Sequence, residues 1–290
     1  MHLAVLTFAF DPVLRFGGGV SVRIETLALA AVLFVGFALA ARIGLLTPAV
    51  GPYVPAPTLR PDDLIFIAVG VVPGAVLGGR LGYVLAHFDY YSSHPQAIID
   101  PSQGGLSLTL AVPFGILTGA IITRLIGAPV ARWMHATAFP MLFVLAAGKL
   151  VGVLGATGQG QPSDLGWATA YVGSGPWASL APGVASQPAQ VYEAVAVAIA
   201  IVVLSTLSKL EPIARRDGAL MFAALGLWAI ARIAVGFVWR DPVVIGPLRV
   251  EQLLALLLLG LAVVGYIERA GAPFQAPTDV EEVTDPELLE

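Results

Sequence analysis

The sequence predicts an all-α integral membrane protein of seven transmembrane helices, and three observations predict it. Hydrophobic residues make up 57% of the 290-residue chain and charged residues only 12%, against roughly 25% charged in an ordinary soluble domain. Seven apolar segments are each long enough to cross a hydrocarbon core, a distance that takes about 20 residues of helix. The lysines and arginines alternate from loop to loop, the pattern that orients multi-pass proteins.

The N-terminal apolar stretch, 3–10, is too short to span and lacks the basic region and small-residue cleavage site of a signal peptide. Spans are expected at 22–41, 64–88, 106–126, 135–156, 188–207, 218–239 and 250–267. Pro73 in the second and Pro113 in the third predict kinks rather than breaks, because neighbouring helices satisfy the carbonyls a proline frees. Gly70, Gly74, Gly78 and Gly82 make one stripe along the second span and predict close helix packing. The loops after spans one, three and five hold Arg42, Arg60, Arg124, Arg132, Lys209, Arg215 and Arg216, whereas those after spans two and four hold no Lys or Arg. Arg15, Arg23, Arg240 and Arg249 flank the remaining ends. The bias places the N-terminus outside and the C-terminus in the cytoplasm.

The segment at about 157–187 is rich in Gly, Pro and Ser and carries Trp167, Tyr171 and Trp177. It reads as an outer cap at the membrane interface, with ordinary aromatic anchoring as the plainer use of those rings. The chain thus divides into a seven-span unit, 1–270, and an acidic cytoplasmic tail, 271–290. That tail holds Asp279, Glu281, Glu282, Asp285, Glu287 and Glu290 with no basic residue after Arg269, so it reads as disordered and solvated.

Composition also sets exclusions. With no cysteine there is no disulfide, thiolate metal site or cysteine nucleophile in the chain. His2, His87, His94 and His135 show no metal-ligand spacing, so neither metal nor cofactor is expected. No basic patch suits nucleic acid, and membrane lipid is the expected partner.

Four spans carry a charge deep inside: Arg80, Lys149, Glu193 and Arg232. Each costs roughly 2.5–3.5 kcal/mol on insertion scales, so such residues face a partner or a watery cavity. The alternation of the spans puts all four at similar depth toward the outer face. Gln190 and Tyr192 join Glu193 in the first turns of the fifth span, and Arg240 stands at the rim of the sixth. The plain reading pairs Glu193 with one arginine and lets the other cations snorkel. The glycines around Arg80 argue instead for a directed guanidinium. One carboxylate among three cations calls for an outside anion, and a phosphate fits the arginine fork. In a bilayer that phosphate is a lipid headgroup.

At these residues the chain resembles the prolipoprotein diacylglyceryl transferase family. The resemblance rests on Asp11-Pro12-Val13-Leu14 with Val22-Arg23, on Gly78-Gly79-Arg80-Leu81-Gly82-Tyr83-Val84-Leu85, and on Gly104-Gly105-Leu106-Ser107. It continues through Pro188, Gln190, Tyr192 and Glu193, then Arg232 and Arg240, then Arg249-Val250-Glu251-Gln252-Leu253-Leu254. It implies a multi-pass enzyme of the bacterial plasma (inner) membrane. Such an enzyme moves diacylglyceryl from phosphatidylglycerol to the lipobox cysteine of prolipoproteins, whose signal peptides would be its second partner. The resemblance assigns catalysis to Arg232, Arg80 and Glu193, and substrate binding to Lys149, Gln190, Tyr192, Arg240, Gly104 and Gly105.

The chain departs from the family pattern at several polar positions. Thr109 stands where the family has a histidine after its glycine-rich turn, and Gln187 replaces the histidine before the fifth-span motif. Gly148-Lys149, followed by Gly152, Gly155 and Thr157, stands for Gly-Arg, asparagines and a glutamate, and Gly236 for the glutamate one turn past Arg232. Cation positions are kept, while several polar partners and the histidine are not. The lost histidine and carboxylate also fit a relative that binds phospholipid or lipoprotein signal peptides without turnover. Intramembrane charge fits a transporter or channel, though no inverted repeat is visible.

Overall fold

Seven helices long and apolar enough to cross a membrane run through the computed structural model of the chain, which describes residues 6–46, 59–100, 104–173, 175–214 and 216–271. In chain order the helices are α1 (Ile24–Leu46), α2 (Asp63–Ala86), the short α3 (Phe88–Ser93), α4 (Leu108–Leu125), α5 (Val130–Val151), α6 (Ala189–Leu207), the short α7 (Glu211–Ala214), α8 (Ala219–Gly236) and α9 (Val250–Gly271). All seven expected spans are present. The acidic tail expected after them lies outside the described residues.

Helices α2, α4 and α5 run without interruption through Pro73, Pro113 and Pro140. The fourth span, α5, sits further toward the N-terminus than hydropathy places it, running 130–151 where 135–156 is expected. Its polar first turns contain Arg132 and His135, which lower the apolar average although Arg132 is buried. At its far end the chain tightens into a 3-10 turn, Gly152–Gly155, and Ala156 then adopts a left-handed conformation (φ 60°) that stops the helix.

The glycine stripe of α2 lies against α4. A Cβ at Gly74 would stand 2.7 Å from the Phe114 carbonyl, and one at Gly78 would stand 2.4 Å from that of Leu110. Backbones approach this closely only where side chains are absent, which is how small residues drive packing when water supplies no hydrophobic force. Elsewhere α8 is the central helix. Trp228, Ala224 and Ala229 are fully buried, and they pack with Leu142 and Leu145 of α5 and Val197 and Leu204 of α6. An apolar cavity of about 400 Å³ lies among α1, α2, α4 and α5, lined by Leu33, Val71, Val112, Ile116, Trp133 and Met141 among others.

Three small strand pairs decorate one end of the bundle. They comprise β1 (Leu6–Ala9), β2 (Val13–Arg15), β3 (Ser21–Arg23), β4 (Thr169–Val172), β5 (Val243–Ile245) and β6 (Leu248–Arg249). β1 pairs in parallel with β4, from Leu6 opposite Thr169 to Ala9 opposite Val172. Residues 6–9 of the N-terminal apolar stretch, too short to span, therefore form a strand beside the 157–187 segment. β2–β3 and β5–β6 are antiparallel hairpins.

The alternation of helices brings the starts of α1, α4, α6 and α9 together with the ends of α2, α5 and α8. At this cap end the Ser107 N–H donates to the Gly79 carbonyl at 2.8 Å, tying α4 to α2. Thr157 Oγ1 donates to Glu25 Oε1 at 2.5 Å, tying the cap to α1.

Candidate active site

The expected site residues sort into three groups, all at the cap end. The first is a buried charge cluster built from five helices. Arg232, near the end of α8 and 4% exposed, donates from all three of its nitrogens. Nε reaches Thr109 Oγ1 at 2.9 Å, Nη1 reaches Glu193 Oε1 at 2.7 Å and Nη2 reaches Glu251 Oε2 at 2.9 Å. Thr109 Oγ1 in turn donates to Glu251 Oε2. Lys149 Nζ lies 2.9 Å from Glu193 Oε2. The Trp239 ring lies beside both cations, its centroid 4.5 Å from the Arg232 guanidinium carbon and 5.8 Å from Lys149 Nζ.

Each residue reaches the cluster because it lies in a terminal turn. Thr109 and Glu251 are the second residues of α4 and α9, Glu193 is in the second turn of α6, and Lys149 and Arg232 lie in the last turns of α5 and α8. The cluster is nearly sealed. Glu193 side chain is 1% exposed and Glu251 10%, while Lys149 at 21% is the cation that solvent or a ligand reaches most readily.

The second group is a corner at the end of α2. Arg80 does not join the charge cluster's hydrogen bonds; it donates to the backbone carbonyls of Ala97, Ile98 and Asp100 in the following loop. Its guanidinium carbon lies 5.2 Å from the Tyr91 ring centroid and 6.0 Å from that of Tyr83. Gly104 and Gly105 press against the same Tyr83 ring. At Gly104 (φ +100°) a Cβ would stand 2.4 Å from Tyr83 and 2.6 Å from the Tyr91 hydroxyl, so only glycine fits there.

The third group binds the bundle to the cap. Gln190 Nε2 donates to the Tyr171 hydroxyl at 3.3 Å, and Trp167 Nε1 donates to the Tyr192 hydroxyl at 2.6 Å. Arg240 donates from Nε to the Gly160 carbonyl at 2.6 Å and from Nη2 to Ser186 Oγ at 2.5 Å. Nη1 reaches Ser179 Oγ at 3.3 Å. Of the cap aromatics, Tyr171 is buried between Phe8 and Trp177, while Trp167 remains half exposed. Burial pushes the Tyr171 hydroxyl up to about 12. Burial also draws Arg240 below the ordinary range of an arginine, as for a desolvated cation whose hydrogen-bond partners are all neutral.

The electrostatics differ from the sequence expectation in one respect. The cluster contains two carboxylates, not one, and they match its two cations. Glu251 was legible only as part of the motif Arg249-Val250-Glu251-Gln252. Its place in the second position of a helix that starts at the level of Arg232 was the available signal. Gly236, where a carboxylate is expected, has no room for one: a Cβ there would stand 2.4 Å from Gln252 Cγ. Gln252 fills that space fully buried, donating to the Ile233 carbonyl at 2.9 Å and accepting from the Arg249 N–H at 3.0 Å. The acid thus reaches Arg232 from α9 rather than from its own helix. With that balance the cluster carries no excess charge, and Lys149 is its most exposed member. Among the described residues, no three His, Asp or Glu side chains gather to hold a metal.

Comparison with known proteins places this geometry in context. The family model described as prolipoprotein diacylglyceryl transferase matches residues 13–268. Three similar proteins are each named phosphatidylglycerol–prolipoprotein diacylglyceryl transferase. The protein from Geobacter sulfurreducens is 30% identical over 222 residues, covering 73% of this chain and 80% of that one. The protein from Beijerinckia indica is 32% identical, covering 83% and 86%. The protein from Trichormus variabilis is 26% identical over 294 residues, covering 97% and 99%.

Proposed function

The chain belongs to the prolipoprotein diacylglyceryl transferase family, and on that premise we propose that it transfers diacylglyceryl from phosphatidylglycerol to the lipobox cysteine of a prolipoprotein. The observation that carries this reading is the sealed cluster around Arg232, with Lys149 exposed at its edge, inside a bundle of seven membrane-length helices. The reaction displaces a phosphate monoester from a glycerol carbon, so negative charge grows on the leaving oxygen. Fixed cations in a water-poor site stabilise that growth without reorganising, often the largest catalytic contribution.

Lys149 and Arg240 receive the lipid phosphate, while Arg232 sets the local potential. Glu193 holds Arg232 and Lys149 at a fixed separation. Gln190 and Tyr192, anchored to the cap, line the glycerol side, and the corner of Arg80, Gly104 and Gly105 shapes the entry. The apolar cavity takes an acyl chain, since its lining residues Leu108 and Ala111 bracket Thr109 on α4. The acceptor thiol comes from the prolipoprotein, in keeping with a chain that has no cysteine. The arginine and lysine bias of the loops orients the cap outward, on the outer side of a bacterial plasma membrane, and makes 271–290 a cytoplasmic tail.

The test is transfer from phosphatidylglycerol to a lipobox peptide by the purified protein in lipid vesicles, beside Arg232→Ala. Transfer by the unmodified chain and its loss in the variant support the reading. Saturable phosphatidylglycerol binding with no transfer refutes it in favour of a lipid-binding relative.

A further inference from the structure

Transfer to a thiol needs a proton acceptor, and the histidine of the resembled pattern is Thr109 here. Thr109 is fully buried and its hydroxyl is committed, accepting from Arg232 Nε and donating to Glu251 Oε2. The cluster's carboxylate oxygens are the remaining candidates, and their bonding separates them. Glu193 faces Arg232 with one oxygen and Lys149 with the other, and its side chain is 1% exposed. Glu251 uses Oε2 for both Thr109 and Arg232. Among the described residues, Oε1 of Glu251 has no hydrogen-bond partner, and this side chain is 10% exposed.

We propose that Glu251 is the general base of this chain, its Oε1 accepting the thiol proton of the acceptor cysteine. The inference rests on the transferase reading above. Thr109 and Arg232 fix the carboxylate through Oε2 and leave the other oxygen presented. The groups that face Glu251 are Thr109 from α4 and Arg232 from α8, with Glu193 and Lys149 one link further on. Arg249, close in sequence, directs its Nε to the Asp241 carbonyl at 2.7 Å.

In the step, the S–H bond gives its proton to Glu251 Oε1 as sulfur forms a bond to the glycerol carbon that bears the phosphate. The carbon–oxygen bond to phosphate breaks, its electron pair leaves with glycerol phosphate, and the proton on Glu251 passes to solvent or to the departing monoester. A displacement at carbon needs nucleophile and leaving group on opposite sides. Glu251 and Lys149 occupy the two ends of the ion-paired chain Glu251–Arg232–Glu193–Lys149, which suits a thiol at the first and a phosphate at the second.

The experiment follows transfer against pH for the full chain, Glu251→Gln and Glu251→Asp in phosphatidylglycerol vesicles with a lipobox peptide. A general base contributes about 10²–10⁴-fold, so Glu251→Gln should lower kcat at least 100-fold at neutral pH with the KM for lipid little changed. Its residual rate should climb about tenfold per pH unit up to about 8.5, where a free thiol ionises unaided. Glu251→Asp, which keeps the carboxylate, should recover most of the activity. The unmodified chain gives a second reading that needs no variant to fold. A base inside the site takes the thiol proton directly, so its rate should not follow the free thiol's ionisation below pH 8. A Glu251→Gln chain within tenfold of the original and with the same pH profile overturns the proposal. So does an unmodified chain whose rate falls tenfold per unit below pH 8. No transfer by the unmodified chain refutes the transferase reading itself and this inference with it.

Discussion

Removing Glu193 should destabilise the bundle through both cations it holds, and a double-mutant cycle with Arg232 measures the link. The Arg232 and Glu193 side chains are 4% and 1% exposed and meet at 2.7 Å, with Lys149 on the other carboxylate oxygen at 2.9 Å. Two unit charges about 4 Å apart attract by about 4 kcal/mol at an effective dielectric near 20. Breaking one member of such a buried pair costs roughly 3–5 kcal/mol, because the survivor is left charged and desolvated. Glu193→Gln leaves Lys149 without its carboxylate and Arg232 with Glu251 as its one remaining carboxylate among the described residues. Arg232→Met leaves Glu251 with only Thr109. Each single change should cost about 3 kcal/mol or more, and the pair should cost less than the sum by about 1–3 kcal/mol, the range for residues in one network. The assay is denaturant-driven unfolding in mixed micelles, followed by circular dichroism for the unmodified, single and double variants. Additivity within about 0.5 kcal/mol would show that the two residues do not share a stabilising contact, and would refute the account of the cluster.

Other consequences follow from individual contacts. Gly236→Glu, which restores the carboxylate of the family pattern, should lower stability by about 2 kcal/mol or more by displacing buried Gln252 from two hydrogen bonds, and thermal unfolding of this variant checks it. Gly78→Leu should abolish folded yield in detergent, since even its Cβ would stand 2.4 Å from the Leu110 carbonyl and 2.5 Å from Phe114 Cβ; size-exclusion profiles report the outcome. The buried Tyr171 hydroxyl, pushed from 10.0 to about 12, should keep its proton through a range in which unfolded tyrosine ionises. Its raised value favours the neutral form, so stability should be full below about pH 10 and fall as pH rises toward 12; this loss should be missing in Tyr171→Phe. Arg240→Ala should expose 157–187 to limited proteolysis while leaving the helix content unchanged, because Arg240 ties Gly160, Ser179 and Ser186 together.

The number of membrane-length helices, and the end of its helix at which each buried charge lies, were legible in the sequence alone. Length sets crossing, each residue advances a helix by about 1.5 Å, and alternating direction then puts Lys149, Glu193 and Arg232 at one level. The glycine stripe of α2 likewise announced a close contact, although not that α4 would fill it. The direction each side chain takes around its helix axis was decided by the tertiary structure. Helices apolar on every side carry no stripe that distinguishes lipid from protein. Arg80, near the end of α2, therefore turns to the carbonyls of Ala97, Ile98 and Asp100. The same limit hid Glu251, since its role depends on α8 and α9 packing so that an acid 19 residues after Arg232 in sequence meets its guanidinium. The N-terminal stretch shows the converse case: its shortness excluded a span, but its pairing with Thr169–Val172 required the cap to fold beside it. Depth is a local count along one helix, whereas a partner is a property of two helices at once, and only their packing specifies it.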